Sequence, residues 1–207
     1  MAYDQSAMLK LLRPAMTRIL TPLGRALVRR GIGPNAVTAI GTAGTVVCAL
    51  VFFPMGQLWW GSVAITVFVL FDLLDGVVAR MGGGGGSTWG AFLDSTLDRV
   101  ADAAIFSGLI VHFFVERDLL LAGVALFCLV AGTLVSYVKA RAEGLGASCD
   151  VGLAERPERL VVGLVAAGFS GLGVPYILPF GLWLLAAASA ITVVQRVVHV
   201  HRQIGAR

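Results

Sequence analysis

Long apolar stretches separated by short polar breaks run along most of this chain. They fall at about 34–53, 58–80, 88–115, 119–141, 157–172 and 175–198, parted by turn signals such as Pro54-Met55-Gly56 and Gly171-Leu172-Gly173-Val174-Pro175. Most approach or exceed the roughly 20 residues a helix needs to cross a bilayer's hydrocarbon layer. The pattern predicts an all-α integral membrane protein with six transmembrane helices. Residues 5–30 read differently, because Leu, Met and Ile are interleaved there with Lys10, Arg13, Arg18, Arg25, Arg29 and Arg30. Such mixing predicts an N-terminal amphipathic interfacial helix lying in the headgroup layer. The predicted organisation is an interfacial segment over 1–33, a six-helix domain over 34–200 and a C-terminal tail over 201–207.

Composition supports the membrane reading and leaves no room for a large soluble domain. Hydrophobic residues make up 57% of the 207 residues and mean hydropathy is +0.87, against roughly 45–50% apolar content in ordinary soluble domains. Charge sets the expected orientation. Apart from Arg117, every Lys and Arg falls in the N-terminal segment, the second-to-third and fourth-to-fifth connections with their adjoining helix ends, or the C-terminal end. The positive-inside rule makes that side the cytoplasm, in a multi-pass protein of the cell membrane. Trp59 and Trp60 suit the opposite interface. The basic excess of +4 is thereby accounted for, and no nucleic-acid partner is expected. Residues before the first span lack the continuous apolar core of a cleavable signal, so the segment is expected to be retained. The three cysteines are odd in number and unrelated in spacing, which points to neither a disulfide framework nor a zinc site. The glycine run at 82–86 lacks a following Gly-Lys-Ser/Thr and reads as a flexible link, not a phosphate loop.

Against this apolar background, five of the twelve acidic residues lie between positions 72 and 102. Spacings of three and four place Asp72 with Asp75, and Asp94 with Asp98 and Asp102, on single faces of their helices. Crowded carboxylates repel one another, and intramembrane charge is costly, so cations must compensate them. Hard, oxygen-seeking Mg²⁺ is the natural partner, with Mn²⁺ as a substitute. Helix 2 ends and helix 3 begins on the same side, so Asp72, Asp75, Asp94 and Asp98 can face each other across one short loop. Four carboxylates suffice for one or two ions while leaving positions open to phosphate oxygens. Asp102 lies deepest in helix 3 and is read as a supporting group or the partner of a basic residue. Gly76 and Ala79 would admit a ligand close to the helix backbone or simply allow close helix packing.

The motif Asp72-x2-Asp75-Gly76-x2-Ala79-Arg80-x9-Gly90-x3-Asp94-x3-Asp98 resembles the signature of the CDP-alcohol phosphatidyltransferases, with all eight signature positions filled. The resemblance implies a six-helix transmembrane enzyme, usually a homodimer, with a polar cavity open to the cytoplasm. Such an enzyme joins an alcohol to the phosphatidyl group of CDP-diacylglycerol and releases CMP. By the same resemblance Asp72, Asp75 and Asp94 bind divalent metal, and Asp98 is a metal ligand or the base that takes the acceptor's hydroxyl proton. Gly76 and Ala79 would lie against the cytidine, and Arg80 would meet the pyrophosphate or hold the acidic cluster. Pro34-Asn35-x2-Thr38 looks like the family's nucleotide-side segment, with Asn35 where Asp is often found. CDP-diacylglycerol would therefore be held by Asn35, Thr38, Asp72, Gly76, Ala79 and Arg80.

Acceptor choice separates the branches of this family. Ser136-x2-Lys139-Ala140-Arg141-Ala142-Glu143 and Glu155-Arg156-Pro157-Glu158-Arg159 are similar to segments of the bacterial phosphatidylinositol phosphate synthases. That resemblance implies a pocket of Ser136, Lys139, Arg159 and Arg196 holding the phosphate of inositol 1-phosphate. Three cations suit a phosphorylated acceptor better than a neutral alcohol. Arg141, Arg156 and Arg202 are expected as solvated charges on the cytoplasmic side. A sister enzyme using glycerol 3-phosphate would need a similar pocket. A divalent-cation transporter is the remoter alternative, since intramembrane carboxylates also mark ion pathways.

Overall fold

A computed structural model describes the backbone of residues 33–81 and 87–205; side chains are described over 33–70 and 87–205. Among the described residues the chain is all-helical: α1 Pro34–Phe52, α2 Leu58–Met81, α3 Thr88–Val115, α4 Leu119–Gly144, α5 Arg156–Gly171 and α6 Ile177–Ile204. The expected interfacial helix over 1–33 lies outside the described residues save for Gly33.

Local chemistry explains where these helices start and stop. Pro34 occupies the first position of α1, where its missing N–H costs nothing. Ser87 caps α3, its Oγ accepting from the Gly90 N–H at 2.9 Å. Asp118 does the same for α4, accepting from Leu121 N–H at 2.9 Å. Pro157 sits in the first turn of α5. At the far end of α4, Gly146 takes φ +75°, and the N–H of Ala147 reaches back to the Ala142 carbonyl at 2.9 Å.

The chain divides into two compact units, one of Met1–Gly44 with Val67–Asp98, the other of Thr45–Thr66 with Arg99–Arg207. In the first, α1 and α2 meet so closely that a Cβ on Gly44 would collide with the Phe68 ring. In the second, α4 and α5 both pack on α6. Its fully buried side chains include Phe53, Ile65, Leu109, Cys128, Val135, Leu178 and Leu182. Gly108 lets α3 touch the backbone of α1 at Ala49, and Gly171 brings the end of α5 against the backbone of Trp59. Large apolar side chains also cover the outside: Leu119, Leu120, Phe127 and Val130 on α4, and Phe180, Trp183, Ile191 and Val194 on α6 are all exposed. Exposed apolar surface on this scale requires a non-aqueous surrounding. Three described helices, α1, α4 and α6, are long and apolar enough to cross a membrane. This is a membrane protein.

Two ends differ from the sequence expectation. α4 runs on to Gly144 and α6 to Ile204, so the tail expected over 201–207 begins as helix. Gln203 explains the longer α6, because its amide accepts from the Ser148 N–H at 3.1 Å and donates to the Ser148 carbonyl at 2.8 Å.

Candidate active site

The acidic signature lies on α2 and α3. Asp94 and Asp98 fall one turn apart near the start of α3, and both are half-buried. Gly90, one turn earlier, leaves room for α1: a Cβ there would approach Asn35 Oδ1 at 3.3 Å. The structure thus brings Asn35, an expected nucleotide-side position, against Gly90 of the signature. Thr38 is buried, its Oγ1 donating to the Pro34 carbonyl at 3.2 Å. Asp72, Asp75, Gly76, Ala79 and Arg80 belong to the helical backbone of α2, but their side chains lie outside the described residues. Among the described residues no three metal-ligating side chains gather. The chemistry of the donor set still fits a hard divalent ion, because every signature acid offers carboxylate oxygen with no thiol or imidazole among them.

The expected acceptor residues converge within the second unit, on one face of α4. Arg196 is 3% exposed, and its guanidinium donates from Nη1 to the Val135 carbonyl at 2.7 Å, from Nε to the Val151 carbonyl at 2.8 Å and from Nη2 to Glu155 Oε1 at 2.8 Å. Arg159, equally buried, donates from Nη1 to the Ala154 carbonyl at 3.1 Å and from Nη2 to Asp102 Oδ2 at 3.1 Å. Its Nε has no partner among the described residues and faces Gly132, where a Cβ would stand 3.0 Å away. One turn on, Ser136 Oγ donates to the Gly132 carbonyl at 3.3 Å. Another turn on, Lys139 Nζ donates to Asp150 Oδ1 at 2.5 Å and lies 3.8 Å from Glu143. The hydrogen bond and charge of Lys139 hold the Asp150 carboxyl below its usual range.

The loop between α4 and α5 carries Asp150 and Glu155, and α6 pins it. Thr192 Oγ1 accepts from the Leu153 and Ala154 N–H groups at 3.1 and 3.0 Å and donates to the Ala188 carbonyl at 2.7 Å. Gly152, at φ +141°, is required here because any Cβ would strike the Thr192 methyl. Sequence reasoning missed Thr192, Gly152 and Asp150. A threonine in an apolar helix carries no local signal of a loop partner 38 or 39 positions away, and an acid in a loop none of a lysine 11 positions before it.

Asp102 is the partner of two basic residues. It accepts from Arg156 Nε at 3.3 Å as well as from Arg159. Arg156, expected as a solvated charge, is 20% exposed at its side chain because this ion pair draws it inward. Arg141 and Arg202 are exposed, as expected.

A family profile described as CDP-alcohol phosphatidyltransferase matches residues 32–198, the whole span from Asn35 to Arg196. The chain belongs to the CDP-alcohol phosphatidyltransferase family. The phosphatidylinositol phosphate synthase of Streptomyces avermitilis is 51% identical over 202 residues, covering 94% of this chain and 82% of the relative. That of Mycobacteroides abscessus is 47% identical over 198 residues, covering 94% and 89%. The crystal structure of Mycobacterium tuberculosis phosphatidylinositol phosphate synthase with CDP-DAG bound superposes with a TM-score of 0.85 at 47% identity, over 89% of this chain and 94% of that one. The same enzyme in complex with manganese and citrate gives 0.85 at 47%, over 87% and 88%. As a family member, the chain is a transferase.

Proposed function

We propose that this chain transfers the phosphatidyl group of CDP-diacylglycerol to inositol 1-phosphate, giving phosphatidylinositol phosphate and CMP, with a divalent metal ion as cofactor. The observation that carries the reading is the meeting of Ser136, Lys139, Arg159 and Arg196 on one face of α4, in a chain whose signature acids are all present. A neutral alcohol needs no such concentration of cations, whereas a phosphate monoester does. The 51% and 47% identical relatives, both phosphatidylinositol phosphate synthases, favour inositol phosphate over glycerol 3-phosphate and an enzyme over a transporter.

In this reading Asp72, Asp75 and Asp94 hold one or two Mg²⁺ or Mn²⁺ ions, with Asp98 as a further ligand or the base. Bound there, a divalent ion supplies Lewis-acid polarisation of the pyrophosphate and offsets charge on the departing CMP. Asn35, Thr38, Gly76, Ala79 and Arg80, together with Asp72, hold the CDP-diacylglycerol headgroup. Asp98 takes the proton from the inositol hydroxyl, the hydroxyl oxygen bonds to the phosphatidyl phosphorus, and the bond from that phosphorus to the CMP oxygen breaks. Lys139, Arg159, Arg196 and Ser136 orient the acceptor through its phosphate.

The membrane arrangement belongs to the same proposal. All six helices span the cell membrane, the N-terminal 33 residues lie in the interface, and the active site opens to the cytoplasm. α5 has only 16 residues, roughly 24 Å of helix, and so spans in a locally thinned or polar-lined region. The assembly is a homodimer, as the family resemblance implies. An acceptor panel tests the chemistry: purified protein with CDP-diacylglycerol should release CMP with inositol 1-phosphate, only when Mg²⁺ or Mn²⁺ is present, and poorly with free inositol. Efficient use of glycerol 3-phosphate in place of inositol 1-phosphate would overturn the acceptor while leaving the family intact.

A further inference from the structure

α3 carries an acid that the signature does not use. Asp102 lies one turn beyond Asp98, is only 9% exposed, and holds two arginines with its two oxygens. Arg156 approaches through its Nε and its side chain is partly exposed, whereas Arg159 is almost wholly buried. The guanidinium of Arg159 is fixed at both terminal nitrogens, Nη2 by Asp102 and Nη1 by the Ala154 carbonyl. Three contacts therefore define its plane: a carboxylate on one nitrogen, a carbonyl on the other, and the Cβ-free surface of Gly132 against Nε. Among the described residues Nε is the one Arg159 nitrogen with no hydrogen-bond partner, and its N–H is buried beside the turn of α4 that carries Ser136. A buried donor without a partner is costly in a purely structural arginine and is accounted for if another acceptor comes to it.

We propose that Asp102 is a positioning residue for the phosphorylated acceptor, acting through Arg159: it sets the guanidinium plane so that the Nε–H is presented to the acceptor phosphate. This rests on the assignment of Arg159 to acceptor binding. A guanidinium recognises phosphate through a planar fork, so a rotation that leaves its charge in place still removes the bond geometry. The carboxylate supplies that orientation, much as second-sphere carboxylates fix the ring plane of metal-bound histidines. A purely structural ion pair would tie helix α3 to the start of α5 without favouring one substrate over the other.

The two roles separate in a double-mutant cycle with Asp102→Asn, Arg159→Ala and the pair together. The readouts are KM for inositol 1-phosphate, KM for CDP-diacylglycerol and the unfolding temperature in detergent. Asp102→Asn should raise the acceptor KM on the order of ten-fold, leave the CDP-diacylglycerol KM unchanged, and add nothing further once Arg159 is already Ala. Asp102→Glu keeps the charge but moves the carboxylate by one methylene. It should fold as the parent does and show a smaller rise in the same KM, which keeps the test open if the Asn variant is unstable. Two results overturn the proposal alone: Arg159→Ala raises the acceptor KM while both Asp102 variants match the parent, or the Asp102 variants raise both KM values and do so equally in the Arg159→Ala background. An unchanged acceptor KM in Arg159→Ala itself overturns the assignment of Arg159 and this proposal with it.

Discussion

Replacing Arg196 by Lys keeps the charge and removes the fork, and the structure gives the cost. The arginine donates to two backbone carbonyls and one carboxylate from three different nitrogens. A single ammonium nitrogen can sit near one of those acceptors, so two bonds are lost. Hydrogen bonds involving a charged group contribute about 1.5–3 kcal/mol each. The Glu155 arm is to be discounted, because that carboxylate is 43% exposed and water screens it. Taking the low end for two bonds gives about 3 kcal/mol. For a chain of this size each 1 kcal/mol moves the midpoint by about 2–4 °C, so the Lys variant should unfold roughly 6–12 °C below the parent in the same detergent. Hydrogen exchange should show the loss in the loop between α4 and α5, since Val151 and Glu155 are two of the three acceptors. The loss must appear without any acceptor present, which separates it from a weakened acceptor KM. An Arg196→Lys protein that melts within about 2 °C of the parent, with unchanged protection over that loop, would refute the claim that the three-way fork holds the loop to α4 and α6.

Asp72→Asn, Asp75→Asn and Asp94→Asn should each lower CMP release by roughly a hundred-fold or more at limiting Mg²⁺ while the purified protein stays folded; near-parent turnover in any one removes that residue from the ligand set. The Lys139–Asp150 bond depresses the Asp150 carboxyl, so its contribution is present above the ordinary carboxylate range and is lost as pH falls through the lowered value. Loop protection in the parent should therefore exceed that of Asp150→Asn at neutral pH and converge with it in acid, whereas equal protection at pH 7 would mean the pair contributes nothing. Single cysteines placed in the 82–86 glycine run of an otherwise cysteine-free variant should resist impermeant reagents added outside intact cells; external labelling there would invert the topology.

The helices were legible because apolar runs report them directly: the expected 88–115 coincides with α3, and 34–53 ends one residue beyond α1. Apolarity marks where a chain leaves hydrocarbon, however, not where its helix ends. For that reason the apolar runs end at 141 and 198, whereas α4 and α6 both continue as helix beyond those positions. Lys139 and Glu143, one turn apart, support the added turn of α4, and the Gln203 contact with Ser148 supports α6. The acidic row was legible for a different reason, since helical spacing alone places Asp94 and Asp98 on one face. What no local pattern reveals is which acid faces which base. Asp102 meets Arg156 and Arg159 across 54 and 57 positions, and Arg196 meets Glu155 across 41. Those pairings exist only after α3, α5 and α6 have packed, so the sequence identified the cations without their counter-ions.

The counter-ions change what the cation cluster means. Each of the three basic residues assigned to the acceptor already has a carboxylate partner: Asp102 for Arg159, Glu155 for Arg196 and Asp150 for Lys139. In a protein embedded in lipid this is a physical requirement, because uncompensated buried charge costs far more than a paired one. The partners differ in exposure, at 12%, 43% and 76% of their side chains. Exposure decides how firmly each pair is held. The Asp102 pair is dry, so separating it would strand two charges and cost several kcal/mol. The Asp150 pair is open to water and contributes about 1 kcal/mol or less, a difference that an arriving phosphate dianion can outweigh. In the proposed acceptor pocket the arginine planes would stay fixed while the lysine exchanges carboxylate for phosphate. Rigid geometry at one end and an exchangeable charge at the other would together allow the proposed acceptor to bind without leaving an empty cluster of positive charge between turnovers.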